Sequence, residues 1–278
     1  MQNIKLANGV EVPQIGFGTW IVNNDSEGVE AIVTALQNGY SHIDTAAAYG
    51  NERIVGKAIK ASGVKRENVF VTSKVRNTDH GYEKTIAAFN KTLSDLDMEY
   101  LDLYLIHWPK PSSEGENYIK SLQETWRALE DLYKAEKIRS IGVSNCKIHH
   151  LQEIEETATV MPMINQVEYH PSYIHEELRE YCDSNNIVFE GYSVYGHGEV
   201  FKSEELKKFA DKYKTNIGKI SLQYVIQKGV IALIKSMKKE RIIDNIKIDF
   251  VISDEDMKAI DKINSVGGMY VDSDNINS

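Results

Sequence analysis

Residues 101–107 read Leu-Asp-Leu-Tyr-Leu-Ile-His, and this run shows how the chain is built. Alternate side chains of a strand lie on the same face. One face of this run carries Leu101, Leu103, Leu105 and then His107. The three leucines can fill the interior of a barrel, and the histidine that follows them then reaches its mouth. The run therefore predicts a buried parallel strand with a functional group at its carboxyl end.

Seven further strand-like runs occur along the chain, and helical segments separate them. The eight predicted strands are Gln14–Thr19, Ser41–Asp44, Val69–Lys74, Leu101–His107, Arg139–Val143, Met163–Val167, Ile187–Tyr192 and Val230–Ile234. Helices are predicted at Glu27–Gln37, Glu52–Lys60, Glu83–Leu96, Ile119–Ala135, Ile148–Glu156, Glu176–Ser184, Ile217–Gln227, Arg241–Ile246 and Glu255–Ile263. Asn8-Gly9 predicts a hairpin turn ahead of them. This order predicts one domain over residues 1–278, an α/β (β/α)8 TIM barrel with an N-terminal β-hairpin. A doubly wound open sheet is the alternative.

The length, net charge and cysteine content of the chain exclude several classes of protein. The 278 residues suit a single barrel, and a net charge of −9 argues against nucleic-acid or anionic-membrane partners. Cys146 and Cys182 show no metal or disulfide spacing, and no run forms a signal core or membrane span. We expect a cytoplasmic protein, a monomer with a homodimer left open, and disorder over residues 271–278.

Four polar residues lie at or just past predicted strand ends. Asp44, Lys74 and His107 close the second, third and fourth strands, and Tyr49 follows the second. Because the carboxyl ends of barrel strands share one rim, these groups should converge there. A phenol, an ammonium, a carboxylate and an imidazole together can deliver a proton to a carbonyl oxygen. Any one of them alone would more often be an ion pair or a packed side chain.

Several motifs carry a likeness to a known family. They are GYSHIDTAAAYGNE at 39–52, NTDHGY at 77–82 and YLDLYLIHWP at 100–109, with GFGTW at 16–20 and Lys235-Ser236. In order and content these resemble the aldo-keto reductases, including bacterial diketogluconate and glyoxal reductase-like members. The resemblance implies the same barrel and NADPH-dependent reduction of aldehydes and ketones to alcohols. Two alternatives stay open: a catalytically weak, cofactor-binding regulatory protein of this fold, and a metal-dependent barrel hydrolase.

The resemblance assigns roles to the four strand-end residues. Tyr49 would be the general acid, and a nearby Lys74 ammonium would lower the pKa of its phenol. An ammonium about 4 Å away gives at most roughly 4 kcal/mol at an effective dielectric of about 20. Asp44 would keep Lys74 charged, and His107 would orient the substrate oxygen.

A dinucleotide must bind without a Rossmann motif, since no Gly-x-Gly-x-x-Gly opens a helix. The resemblance implies carboxamide contacts from Ser144, Asn145 and Gln166, and a nicotinamide stacked on Tyr192. It also places Gly18, Thr19 and Trp20 at the cofactor. The 2′-phosphate of NADPH would meet Lys235, Ser236 and Arg241, and the adenine would meet Asn245 with Asp244 beside it. A solvated charge run is the alternative for residues 238–241.

Departures from the family pattern concern three places. Ile234 stands where relatives have proline, and Val194-Tyr195 replaces a proline-leucine pair. Arg76 replaces a tryptophan in the substrate pocket, where it would select anionic substrates or form a rim salt bridge. Trp20, Tyr49, His107 and Trp108 would line the rest of that pocket, whose short rim suggests small aldehydes, dicarbonyls or varied ketones.

The remaining histidines are assigned no chemistry, and no metal site is expected. His42 is interpreted as a barrel-filling residue or as one that supports the site residues from behind, the pair His149 and His150 as a solvated helix start, and His170 as structural.

Overall fold

A computed structural model describes residues 2–23, 25–111, 117–264 and 266–275. Within them, eight parallel strands close into a barrel, because the last strand pairs with the first. The strands are β3 Ile15–Gly18, β4 His42–Asp44, β5 Phe70–Val75, β6 Leu103–Ile106, β7 Ile141–Ser144, β8 Ile164–Glu168, β9 Val188–Tyr192 and β10 Ile231–Ile234. All eight predicted strands are confirmed, and the open-sheet alternative is wrong.

The predicted hairpin precedes the barrel. Its strands are β1, Asn3–Lys5, and β2, Glu11–Pro13, which pair antiparallel. Gly9 turns the chain between them with a φ of 87°, a conformation that glycine adopts without steric cost. The side chain of Gln14 then donates to the backbone carbonyl of Ile226, just ahead of β10. The hairpin therefore lies at the amino ends of the barrel strands, opposite the rim where chemistry is expected.

The helices surround the barrel and largely match the sequence. They are α1 Asp25–Gln37, α2 Glu52–Ser62, α3 Tyr82–Leu96, α4 Tyr118–Lys134, α5 Ile148–Glu155, α6 Glu176–Ser184, α7 Glu204–Lys212, α8 Ile217–Gln227, α9 Lys239–Asn245 and α10 Asp254–Ile260. α7 escaped prediction because it is short and strongly charged, and it buries only Leu206 and Ala210. The Ser203 side chain caps it by accepting from the Leu206 N–H. No helix in the described segments is long and apolar enough to cross a membrane.

The barrel interior is close-packed and partly polar. His42 is fully buried there and contacts the Thr72 hydroxyl at 3.0 Å, as its interpretation as a filling residue required. Gly16 lies against it: a Cβ at this position would come within 2.7 Å of the His42 ring and 2.6 Å of Leu233. A glycine is needed at this point so that the imidazole can fit inside the barrel.

The C-terminal tail is ordered as far as it is described, which corrects the expectation of disorder for residues 271–275. Lys147, just before α5, lies 2.5 Å from carboxylate oxygens of Asp272 and Asp274. Asp274 also lies within 3.0 Å of both His149 and His150. The interpretation of both histidines as solvated is wrong for His150, which is fully buried. Residues 276–278 lie outside the described part.

Candidate active site

A cavity of about 510 Å³ opens at the carboxyl ends of the barrel strands. It brings together eleven of the residues predicted for the site. These are Gly18, Trp20, Asp44, Tyr49, His107, Trp108, Ser144, Asn145, Gln166, Tyr192 and Lys235. They come from the ends of seven different strands or from the loops behind them, so barrel closure alone makes them neighbours.

Lys74 contacts Asp44 and Tyr49 from within the barrel wall. Its side chain is fully buried, and its Nζ lies 2.8 Å from each carboxylate oxygen of Asp44. The same nitrogen donates to the Thr45 carbonyl at 3.0 Å and lies 3.4 Å from the Tyr49 hydroxyl. The ammonium therefore contacts three neighbouring residues, of which Asp44 and Tyr49 line the cavity.

The electrostatics of this group differ in one respect from the expectation. Burial is the largest single effect on Lys74 and acts to lower its pKa, but Asp44, Tyr49 and Glu190 together outweigh it and hold that pKa above its ordinary value, so Lys74 is charged. For Tyr49, burial raises the pKa, and the opposing effect of Lys74 is smaller. The expected lowering by Lys74 therefore exists, but the desolvation of the phenol exceeds it.

His107 is neutral in this environment. Burial lowers its pKa to about 3, and the positive charge of Lys74 acts in the same direction. Its ring lies edge-on to the Tyr49 ring, with centroids 5.6 Å apart. The Asn145 amide donates to the His107 backbone carbonyl at 2.9 Å and so fixes the start of this loop. A neutral imidazole beside the phenol offers one N–H and one acceptor to a bound ligand.

The residues assigned to the carboxamide form one hydrogen-bonded chain along the rim. The Ser144 hydroxyl donates to the backbone carbonyl of Gln166 at 2.8 Å, and the side-chain amide of Asn145 donates to that hydroxyl at 3.1 Å. The Tyr192 hydroxyl in turn donates to the Asn145 side-chain oxygen at 2.7 Å. Polar groups on β7, β8 and β9 are thereby held in fixed orientations before any ligand arrives.

The residues assigned to the phosphate and adenine lie outside the cavity lining, except for Lys235. Arg241 is exposed and makes no hydrogen bond or ion pair with another described residue. Asp244 pairs with Lys219 at 2.9 Å, and the Ser236 hydroxyl accepts from the Lys238 N–H. Burial lowers the pKa of Lys235. Two cations with few protein partners thus lie near the end of β10.

Thr19 and Arg76, which were also assigned to the site, do not line the cavity either. Thr19 is fully buried, and its hydroxyl donates to the Asp44 backbone carbonyl at 2.9 Å, so it supports β4. Arg76 is exposed, and its guanidinium donates to the Ala47 carbonyl instead of lining the substrate pocket. In the described segments Arg76 has no carboxylate partner, so the rim salt bridge is not seen either.

Sequence reasoning missed several groups that complete the mouth. Ile21, Phe201 and Met269 line it, and about half of each of these side chains is exposed. Glu190 was also missed, although it lies beside Gln166 on the neighbouring strand and interacts electrostatically with Asp44. Ile21, Phe201 and Met269 are far apart in the chain, so no local sequence pattern indicates that they meet at the mouth. Glu190 was missed because a glutamate within a predicted strand does not by itself indicate a functional residue.

One group of possible metal ligands lies away from the cavity. Ligand atoms of His149, His150 and Asp274 come within 4.8 Å of one another. However, the Lys147 N–H donates to Nδ1 of His150, so the proton of this neutral ring sits on Nε2 and faces Asp274. A protonated nitrogen cannot coordinate a metal, and Lys147 already neutralises the carboxylate. This group therefore anchors the tail.

Comparison with known proteins agrees with this geometry. The model of the Aldo/keto reductase family matches residues 14–265. The glyoxal reductase of Bacillus subtilis (strain 168) is 48% identical over 262 residues, which cover 94% of this chain and 92% of that protein.

Solved structures give the same result. An aldo-keto reductase from a Medee basin deep-sea metagenome library superposes with a TM-score of 0.93 at 40% identity, covering 99% of this chain and 100% of that one. The Bombyx mori aldo-keto reductase in complex with NADP gives 0.86 at 34% identity, covering 94% and 92%. The chain therefore belongs to the aldo-keto reductase family and is an NAD(P)H-dependent oxidoreductase that acts on carbonyl groups.

Proposed function

We propose that this enzyme reduces aldehydes and ketones with NADPH, and that Tyr49 donates the proton to the carbonyl oxygen. The observation that carries this is the buried Lys74, whose ammonium joins Asp44 at 2.8 Å to the Tyr49 hydroxyl at 3.4 Å beneath the cavity. When bound, NADPH supplies the hydride that goes to the carbonyl carbon. The protein residues supply the proton and the orientation.

Tyr49 and His107 both act on the carbonyl oxygen of the substrate. Neutral His107 donates one N–H to it and fixes its position, while Tyr49 transfers its proton as negative charge develops on that oxygen. Lys74 then stabilises the phenolate that remains. Lys74 is charged at neutral pH because Asp44, together with Tyr49 and Glu190, holds its pKa above the ordinary value against the opposing effect of burial. The site therefore needs no metal to stabilise the developing charge.

The groups present suit a nicotinamide cofactor with a 2′-phosphate. The hydrogen bonds made by Ser144, Asn145 and Gln166 use their side-chain donors and leave the Gln166 side-chain oxygen to accept from the carboxamide NH2, and Tyr192 offers an aromatic face. Lys235 and Arg241 supply two positive charges on a chain whose net charge is −9. Cations that have no carboxylate partner among the described residues attract a phosphate monoester, so we propose that NADPH is preferred over NADH.

Neutral carbonyl compounds are the substrates we propose. The mouth is lined by Trp20, Ile21, Phe201 and Met269, and Arg76 is turned to a backbone carbonyl outside it. A Bacillus subtilis relative is named for glyoxal reduction, which supports small aldehydes and dicarbonyls here. Free, buried Cys146 and Cys182 accord with a proposed cytoplasmic location.

Substitution of Tyr49 by phenylalanine tests the proposal. Turnover of a panel of aldehydes, followed at the NADPH absorbance, should fall at least 100-fold, because one general acid contributes about that much. The Kd for NADPH should stay within about twofold. Unchanged turnover in this variant would refute the acid role, and a wild-type protein that binds NADPH but turns over no aldehyde would favour a regulatory function.

A further inference from the structure

Gln166 spans the barrel and is held by two carboxyl groups. It lies on β8, opposite β4, and its Nε2 donates to Asp44 Oδ2 at 2.9 Å and to Glu190 Oε2 at 2.8 Å. Glu190 lies on β9 directly beside Gln166 in the strand register. Both N–H groups of the Gln166 amide are therefore used inside the barrel, one across it and one to the neighbouring strand.

This pairing fixes which end of the amide faces the cavity. The Asp44 oxygen is an acceptor, and so is Glu190 Oε2, so only the amide nitrogen can lie between them. Gln166 lines the cavity and is almost fully buried. Its side-chain oxygen is consequently directed away from the two carboxyl groups and is left to accept a hydrogen bond from a ligand.

Glu190 has no evident structural reason to be there. It is fully buried; its Oε1 has no hydrogen-bond partner among the described residues, and His42 Nε2 lies 3.8 Å from it. Burial raises the pKa of Glu190 to about 8, and Asp44 acts in the same direction, while Lys74 opposes them. Burying a half-satisfied carboxyl group costs stability, so its one hydrogen bond to Gln166 needs an explanation in function.

We propose that Glu190 is a positioning residue that fixes the Gln166 amide so that its oxygen accepts from the carboxamide NH2 of the nicotinamide ring. Glu190 touches neither substrate nor cofactor. Asp44 alone would anchor the nitrogen but leave the amide plane free to rotate, and the second acceptor removes that freedom. The inference rests on the proposed function, specifically on Gln166 as a carboxamide contact.

The test compares two ligands that differ in the nicotinamide. Kd values for NADP⁺ and for adenosine 2′,5′-bisphosphate, which has the 2′-phosphate but no nicotinamide, would be measured by quenching of tryptophan fluorescence. Trp20 and Trp108 line the cavity and report binding. In Glu190→Leu we expect the Kd for NADP⁺ to rise about tenfold and that for the bisphosphate to stay unchanged. Glu190→Gln should bind NADP⁺ almost as well as wild type, because its amide oxygen still accepts from Gln166.

Each outcome decides between the proposals. If Gln166→Leu weakens NADP⁺ binding while Glu190→Leu does not, the positioning role is refuted and the cofactor assignment stands. Equal losses for both ligands in Glu190→Leu would show a general structural defect and also refute it. A Glu190→Gln variant as weak as Glu190→Leu would assign the effect to charge and refute the hydrogen-bonded positioning role. If wild type binds no NADP⁺, the proposed function itself fails. Should Glu190→Leu not fold, Glu190→Ser, which is too short to reach Gln166, replaces it.

Discussion

The barrel interior and the C-terminal tail each contain a lysine held by carboxylate oxygens, but in opposite environments. Lys74 and Asp44 are at most 4% exposed, whereas Lys147 is 44% exposed and its partners Asp272 and Asp274 are 46% and 31% exposed. A buried pair is costly to assemble and very costly to break, while an exposed pair is screened by water and salt. Similar contacts therefore differ in energy and in purpose.

Breaking the buried pair should produce the largest effect. Lys74→Met leaves the Asp44 carboxylate buried without its cation, so we expect about 3–5 kcal/mol less stability in urea unfolding. Turnover should fall by more than 100-fold because Tyr49 loses the charge that stabilises its phenolate. Lys147→Met is the matched control. Equal stability losses in the two variants would show that burial does not distinguish the regions.

The pH dependence of stability tests how the barrel interior treats the buried carboxyl group of Glu190. The pKa of Glu190 is raised from 4.5 to about 8, so the native state holds its proton more tightly than the unfolded chain does. Stability should therefore fall as pH rises between about 4.5 and 8. Glu190→Gln removes this cost, and we expect its advantage over wild type to grow across that window to a few kcal/mol. If urea unfolding gave the same difference in unfolding free energy between the two proteins at pH 5 and at pH 9, this prediction would be wrong.

Arg241 offers a surface cation with a different purpose from Lys147. It has no partner among the described residues, so its removal should not affect stability. We expect Arg241→Ala to raise the KM for NADPH about tenfold, the loss of one charge-assisted contact, and to leave the KM for NADH unchanged. Equal KM changes for both cofactors, or none, would exclude a 2′-phosphate contact.

The tail pairs should give a smaller effect. Lys147→Met is expected to lower stability by no more than about 1 kcal/mol, and the difference should shrink at 0.5 M salt. Met269 and Val271 belong to the same tail and line the cavity. We therefore expect Lys147→Met to change the KM for a bulky aldehyde clearly, although it lowers stability only slightly. Thermal unfolding at low and high salt, together with KM for a small and a bulky aldehyde, checks both points.

Arg76 should give the smallest effect. Because its guanidinium is bound to the Ala47 carbonyl outside the cavity, Arg76→Trp should leave the ratio of kcat/KM for an acidic and a neutral aldehyde within about twofold. A clear loss of preference for the acidic aldehyde would instead restore the anionic-substrate hypothesis.

The eight strands and the rim could be predicted because their signals are local. A run such as 101–107 carries both the period of a buried strand and the residue that reaches the mouth. Arg76 shows the limit of such reasoning, because its position beyond Lys74 was read correctly but its side-chain direction was not. The tail shows another limit, since polar composition suggested disorder while Lys147, 125 residues away from Asp272, holds it in place.

By itself the sequence determined the barrel, its reductase family and the identity of the four residues at the rim, because each depends on short periodic runs and contiguous motifs. Only the tertiary structure decided how those residues interact. The desolvation that raises the pKa of Tyr49, the amide of Gln166 held between Asp44 and Glu190, and the apolar mouth of Ile21, Phe201 and Met269 all depend on groups that barrel closure brings together. Solvent exclusion and contacts across a closed barrel join residues that are far apart in the sequence, so no local sequence pattern predicts them.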